Sequence, residues 1–170
     1  MPGQAAAAIL AYPGKASCPS GPLSSNVRRH MTDIDPAWYE LRDAVFAQDL
    51  SAAEALIRER PALLHLSNGI GETVLHFLAV EDDRHGVAWL HARGADLNTK
   101  NSFGAPVLFE VASLEYKELF CWLVEHGADP YATDNDGQSL VEHLIEHDHE
   151  AMAAWVQSCL DSKPSAAGRE

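Results

Sequence analysis

The chain has 170 residues, of which 46% are hydrophobic, and this is enough for one domain with a sizeable core. Its formal net charge is −13, because 25 Asp and Glu outnumber 12 Lys and Arg. A charge of this sign argues against binding to nucleic acid, whose phosphates require basic residues, and against anionic membrane surfaces.

The charge is distributed unevenly along the chain. Residues 1–30 contain three basic residues and no acidic one, whereas residues 101–160 contain eleven Asp and Glu against the single Lys117. An acidic surface is compatible with a basic protein partner, and equally with a solvated surface that has no partner.

Cysteine usage and hydropathy indicate the compartment. The three cysteines (Cys18, Cys121 and Cys159) are an odd number without a CxxC pair, which fits a reducing compartment better than a disulfide framework. Cys121 and Cys159 fall at mostly apolar helical positions, so we expect them to pack as small hydrophobic residues. No apolar run approaches the length of a membrane span. We therefore expect a cytoplasmic protein.

The N-terminal segment, residues 1–35, is predicted to be disordered. Its first thirty residues are rich in Ala, Gly, Pro and Ser and lack apolar periodicity. Met31 is a candidate natural start, because the sequence after it leads directly into a helix. On that alternative, residues 1–30 are not native.

The folded part is predicted to begin at Pro36, where proline is well placed at the first position of a helix. Apolar spacing predicts two helices before Pro61, which stops the second one. The inward residues of these helices are expected to be Leu41, Ala44 and Val45, then Ala52, Ala55, Leu56 and Ile57.

The next part of the chain repeats with a period of thirty-three residues. The sequence from Gly71 to His76 is GETVLH, with Thr73 placed to cap a helix, and the unit ends in GAD at Gly94–Asp96. The corresponding residues one or two periods later are Gly104 and Gly137 for the first glycine, and Gly127 and Asp129 for the GAD loop. Trp89, Trp122 and Trp155 keep the same interval. A period held by several residue types is typical of a repeat solenoid.

This pattern divides the folded domain, residues 36–161, into four units. They are residues 36–67, 68–100, 101–133 and 134–160, and residues 162–170 form a polar tail that is predicted to be disordered. The outer units depart most from the pattern, as is expected of caps that face solvent on one side.

The heads and tails of these units resemble the ankyrin repeat, which has a thirty-three-residue unit with a D-x-x-G-x-T-P-L-H head and a G-A-D tail. The resemblance covers roughly residues 36–160. His76 matches the histidine that bonds the loop in that family, whereas Phe109 and Glu142 stand in its place in the later units. The resemblance implies an all-α solenoid of about four helix-turn-helix units with hairpin-like loops, which binds another protein through its concave side.

The candidate binding surface lies on that concave side. Ile70 and Phe103 are apolar residues at loop tips that are normally polar, and acidic residues flank them, which is the composition of a protein interface. The alternative is that both residues only brace neighbouring loops. The full set of candidate partner-binding residues is Ile70, Val80, Glu81, Asp82, Phe103, Leu114, Glu115, Tyr116, Asp136, Glu146 and His147.

Two further groups allow other interpretations. The three tryptophans are predicted to form a ladder along the convex back, where they pack; the alternative is a second binding face or a structural oligomer. His143 and His147 are one helical turn apart, a spacing that allows two imidazoles to share a metal, and this gives a metal-dependent activity as another alternative. The sequence is not HExxH, and the simpler interpretation is a polar surface.

No catalytic motif is present, and no cofactor or metal is predicted. We therefore expect a monomeric, non-catalytic protein that binds a protein partner and acts as a soluble adaptor or inhibitor. One concrete version is an acidic immunity-type inhibitor that occludes the basic active site of a toxin or nuclease. Acidic complementarity would make such binding fast and sensitive to salt.

Overall fold

The computed structural model describes residues 34–162. The predicted disordered segment, with the candidate start at Met31, lies outside these residues except for Ile34 and Asp35, and the predicted tail lies outside them except for Ser162. Among the described residues the secondary structure is helical and includes no β-strand, so the all-α prediction is confirmed for this part of the chain.

Residues 34–162 form eight α-helices, which follow one another in four pairs. They are α1 (Pro36–Phe46), α2 (Leu50–Glu59), α3 (Val74–Val80), α4 (Arg84–His91), α5 (Val107–Ser113), α6 (Lys117–Glu125), α7 (Leu140–Glu146) and α8 (Glu150–Ser162). A short 3-10 helix, Pro61–His65, follows α2. We call α1, α3, α5 and α7 the first helices and the others the second helices.

The pairs stack in sequence order. Each first helix packs against the second helix of its own pair, and α1, α3, α5 and α7 also contact one another in succession. Leucines fill the space between them, with Leu41, Leu75 and Leu108 all fully buried. The core is therefore one continuous layer between the helices, and no pair has a core of its own.

The connections between the pairs repeat the same geometry. Isolated antiparallel bridges join Ser67 to Thr73, Lys100 to Pro106 and Thr133 to Ser139, each thirty-three residues after the last. Within these turns Gly71, Gly104 and Gly137 have φ angles of 82°, 79° and 80°. The three glycines that the sequence placed at equivalent positions thus have the same backbone conformation.

A second repeated feature lies within each pair. The turns between first and second helices contain non-glycine residues with positive φ, namely Gln48, Asp82, Glu115 and Asp148. In this left-handed region a side chain costs about 1–2 kcal/mol relative to glycine. All four pairs have this strained residue at the same position, in the turn between the first and the second helix.

Polar side chains set several helix starts. The carboxylate of Asp35 accepts the Ala37 N–H at 3.0 Å and caps α1. Thr73 precedes α3, as predicted, and its backbone N–H donates to Nδ1 of His76 at 3.2 Å. Caps of this kind contribute about 1 kcal/mol each.

The first helix begins at Pro36, as predicted, and two residues before it also take part in the fold. Besides capping α1, Asp35 forms an ion pair with Arg60 at 2.6 Å, and Ile34 packs against the core. The backbone N–H of Ala37 and the Arg60 guanidinium hold the pKa of Asp35 below its ordinary value. The fold therefore begins at least two residues before Pro36.

The register of α2 differs from the prediction. Ala52 and Ala55 were expected to point inward, but both are exposed, and the buried residues are Ala53 and Ile57. The helix begins after the cap at Asp49, and from this start the buried stripe falls on residues four apart.

Cys121 was also predicted wrongly. It is exposed on α6, where Leu119, Phe120 and Leu123 are the buried residues. Cys159 is half-buried.

No helix among the described residues is both long and apolar enough to cross a membrane.

Substitution of two equivalent glycines separates backbone strain from steric fit. A Cβ at Gly104 would lie 2.5 Å from the backbone nitrogen of Asn135, whereas one at Gly137 would meet nothing within 4 Å. Because the φ angles match, Gly137→Ala should cost only the strain of about 1–2 kcal/mol. Gly104→Ala should cost roughly 1–3 kcal/mol more. Urea unfolding of both variants measures the difference, and equal losses would contradict the stacked turns.

Candidate functional site

Three turn tips come together on one side of the stack. Ile70, Phe103 and Asp136 occupy the same position in successive turns, and Ile70 and Phe103 are 43% and 54% exposed. The Ser102 N–H donates to the Ile70 carbonyl oxygen at 2.9 Å, which joins the first two turns directly. The structure therefore places the two predicted apolar residues on adjacent, connected turns.

Each turn is held by one polar side chain that the sequence analysis did not single out. Oδ1 of Asn101 accepts the N–H groups of Phe103 and Ala105 at 3.0 and 3.1 Å. Asn68 does the same in the turn of Ile70, and Asp134 in the turn of Asp136. Their thirty-three-residue spacing was the available signal. These bonds fix the direction in which the tips project.

The ends of the first helices supply the predicted acidic rim. Glu81, Glu115 and Glu146 are exposed there, and Asp136 is exposed at its turn tip. Asp82 is half-buried and forms an ion pair with Arg84 at 3.2 Å. The rim is therefore present, although Asp82 is already partly neutralised.

Several other predicted surface residues are less available than expected. The half-buried members of the set are Val80, Leu114, Tyr116 and His147. Tyr116 packs against the core, because it directly precedes α6 and its ring turns inward there. Tyr116 is therefore only partly accessible at the surface.

An aromatic cluster on α1 and α3 extends the surface beyond the predicted residues. The Phe77 ring lies 6.2 Å from that of Trp38 and 6.0 Å from that of Phe46. The guanidinium of Arg42 lies 4.9 Å from the Tyr39 ring and 5.0 Å from the Phe77 ring. This cluster could not be predicted from the repeat, because its residues do not follow the thirty-three-residue pattern.

A buried carboxyl group lies beneath the turn of Phe103. Glu110 on α5 is only 7% exposed, and its Oε1 accepts from Nδ2 of Asn101 at 2.8 Å. Its Oε2 is buried and has no hydrogen-bond partner among the described residues. Burial, assisted by the charge of Glu72, raises the pKa of Glu110 to about 8. Glu110 is therefore mostly protonated at neutral pH.

His76 lies between the start of α3 and the backbone of Thr99 in the following loop. It is fully buried on α3, and Nδ1 contacts the Thr73 hydroxyl at 3.0 Å. Nε2 makes no hydrogen bond within the described chain. Burial lowers the pKa of His76 to about 4, and the backbone of Thr99 opposes this shift only in part. The Thr99 backbone is the loop group with which His76 interacts, in keeping with the predicted loop-bonding role.

The GAD loops connect to each other instead through Asn98. Its Nδ2 donates to the Gly127 carbonyl oxygen at 3.1 Å, and its Oδ1 accepts the Asp129 N–H at 2.8 Å. Asp96 and Asp129 each bind the N–H of the residue two positions later. Gly94 and Gly127 have positive φ, as expected for glycines that follow a helix. The predicted motif residues therefore act within the loops.

The histidine pair is arranged side by side. The His143 and His147 ring centroids are 4.3 Å apart, and Nδ1 of His147 lies 2.8 Å from the His143 carbonyl oxygen. His143 is buried against Phe109, and this burial lowers its pKa. Among residues 34–162 no group of three His, Cys, Asp or Glu side chains is placed to hold a metal ion.

The tryptophans of the second helices each pack against a different group. Trp155 lies 5.4 Å from Phe120, and Trp122 stacks on His126 at 3.9 Å. The Arg93 guanidinium covers Trp89 at 3.7 Å. All three indoles are half-buried. These contacts support the packing role.

Comparison with known proteins adds no assignment. No family model matches the chain, and no curated protein matches it significantly. The function has to be argued from the surface just described.

The buried carboxyl group gives the protein a measurable pH dependence. Between its ordinary pKa of 4.5 and about 8, Glu110 keeps in the folded state a proton that the unfolded chain has lost. Stability should therefore fall with rising pH by up to about 1.4 kcal/mol per unit and level off above pH 8. His76 has the opposite effect between about 4 and 6.5, so the range above 6.5 isolates Glu110.

Glu110→Gln removes the titration and keeps an oxygen for Asn101, so its stability should stay level between pH 6.5 and 8. Chemical unfolding at several pH values compares the two proteins. If the free energy of unfolding changed with pH in the same way for the wild type and the variant, this would show that Glu110 is ionised in the folded protein at neutral pH.

Proposed function

We propose that this protein is a non-catalytic binding module, built as an ankyrin-type solenoid of four helical units, which binds a protein partner through the turn tips and the ends of its first helices. The observation that carries the proposal is the pair of exposed apolar side chains, Ile70 and Phe103, on turns that are rigidly held and directly joined. A rigid apolar centre with an acidic rim is the composition expected of an interface.

The proposal of a solenoid rests on structural features that repeat at a fixed interval along the chain. The bridges and the positive-φ glycines return after thirty-three residues, as do the last three helix pairs, and the repeated sequence motifs fall on the same positions. Stacked units of this kind present an extended surface that tolerates changes in surface residues, so binding is the function such a scaffold serves best.

The non-catalytic part rests on where the perturbed titratable groups lie. Glu110 and His76 have the largest pKa shifts among the described residues, and both are buried in the stack beneath the turns. Catalytic acids and bases must reach a substrate. Burial without access favours a structural role for both groups.

The proposed cellular role is that of a soluble, monomeric cytoplasmic adaptor or inhibitor. Its strongly acidic surface suits a basic partner, and an immunity-type inhibitor that covers the basic active site of a toxin is the most concrete version of this role. Charge complementarity would speed the association and make it dependent on salt.

Two substitutions test the proposed surface. Phe103→Ala removes the most exposed apolar tip, and Glu115→Lys reverses a rim charge while keeping a Cβ at the same positive φ. Each should weaken binding about tenfold or more, because central aromatic and charge contacts dominate interface energy. The partner is first isolated by affinity purification from the native cell, and the purified pair is then measured by titration calorimetry.

The control is Tyr131→Ala, which truncates an exposed aromatic residue in the GAD loop and should leave the affinity unchanged. Circular dichroism melting checks that all variants remain folded. Wild-type affinity in both test variants would eliminate this surface as the binding site.

A further inference from the structure

We propose that the surface takes a protein segment that is apolar at one end and basic at the other, with the apolar end against α1 and α3 and the basic end against α7. This inference rests on the proposed function and adds the chemistry and the direction of the bound segment. It follows from a change in surface character along the stack.

The last residues of the first helices show the change. These helices end at Phe46, Val80, Ser113 and Glu146. Phe46 is 50% exposed and Val80 and Ser113 are half-buried, while Glu146 is exposed and charged. Equivalent positions therefore run from aromatic, through aliphatic and hydroxyl, to carboxylate.

The turn tips change in the same direction. Ile70 and Phe103 present apolar side chains, and Asp136 presents a carboxylate one turn further along. Because the Ser102 N–H bonds to the Ile70 carbonyl oxygen, the two apolar tips lie on directly joined turns. The helix ends and the turn tips are two separate rows of equivalent positions. Both rows change from apolar to acidic in the direction from α1 to α7.

The apolar end is reinforced by the aromatic cluster. Tyr39 and Phe46 are exposed and Phe77 is half-buried, so the rings offer contact area that no described part of the chain covers. Arg42 lies over these rings, and its charge is offset by Asp43 at 2.6 Å. Aromatic rings with an arginine are typical of the centre of a binding site.

The acidic end lacks any compensating cation in the sequence. Residues 118–162 contain ten Asp and Glu and no Lys or Arg. Glu146 accepts from the amide of Gln138 at 2.5 Å, which fixes the carboxylate beside the turn of Asp136. Basic side chains of a partner are the groups that complement this end.

The same charges disfavour a second copy as the occupant. Residues 34–162 hold 23 Asp and Glu against seven Lys and Arg, a net charge of −16. Two copies that met on this surface would repel each other. We therefore commit to a different protein with a basic segment.

The test uses the full chain and a synthetic peptide with a block of Leu and Phe followed by a block of Lys and Arg. A nitroxide label at the basic end should broaden amide NMR signals around α7 and the turn of Asp136. The same label at the apolar end should broaden signals of α1 and α3. A peptide with Glu in place of the basic block should not bind.

Two variants test the two ends separately. Phe46→Ala should weaken peptide binding several-fold with an unchanged salt dependence, whereas Glu146→Lys should weaken it about tenfold and flatten the salt dependence. Ile145→Ala is the matched control, because this neighbour of Glu146 is 52% exposed and apolar but lies outside both rows.

The outcomes separate the inference from the proposed function. Broadening that is the same for both label positions, or that spreads over all acidic surfaces, means undirected charge attraction and overturns the inference. Peptide-independent dimers in sedimentation, disrupted by Phe46→Ala, would also overturn it in favour of a second copy. If the native partner still loses affinity on Phe103→Ala, the proposed function survives either result.

Discussion

Helices of seven residues do not persist alone in water, and α3, α5 and α7 are this short. Each is stable only because its apolar side is covered by the neighbouring first helices, one in the case of α7 and two for α3 and α5, and by the second helix of its own pair. The structure depends on this mutual burial. It also explains why the turns are so uniform, since a fixed step between pairs requires the same φ angles at Gly71, Gly104 and Gly137. Because the turns are regular, the side chains on them lie at regular intervals along the surface.

The candidate surface follows from the polar side chains that hold these turns. Asn68, Asn101 and Asp134 each bind two N–H groups of their own turn, and Asn101 also reaches down to Glu110. The exposed tip at Phe103 is therefore connected through one amide to a buried carboxyl group. The same Asn101 side chain therefore contacts both the backbone of the turn and the buried carboxyl group of Glu110.

Much of the fold could be predicted from the sequence, and the failures have physical causes. The thirty-three-residue period located the helices, the turn glycines and the cap at Thr73, because these depend on local backbone geometry. Apolar spacing alone failed for Ala52 and Ala55 in the first unit, because alanines occur at both positions 52 and 53 and only packing decides that Ala53 and Ile57 are buried. The candidate surface was predicted less completely. Ile70 and Phe103 were found from their unusual apolar character at tips, but the aromatic cluster around Arg42 arises from contacts between α1 and α3 that no period encodes. Glu110 was missed for the same reason, since its burial depends on the neighbouring turn.

The residues with positive φ between the paired helices show a conflict between stability and surface charge. Asp82, Glu115 and Asp148 hold a conformation in which glycine would be less strained, and Glu115 and Asp148 are exposed. The stack would gain from glycine at these places, yet the chain has kept carboxylates at three equivalent positions. At each of these sites a carboxylate adds surface charge at the expense of stability. A sequence optimised for stability alone would therefore lose the acidic edge first.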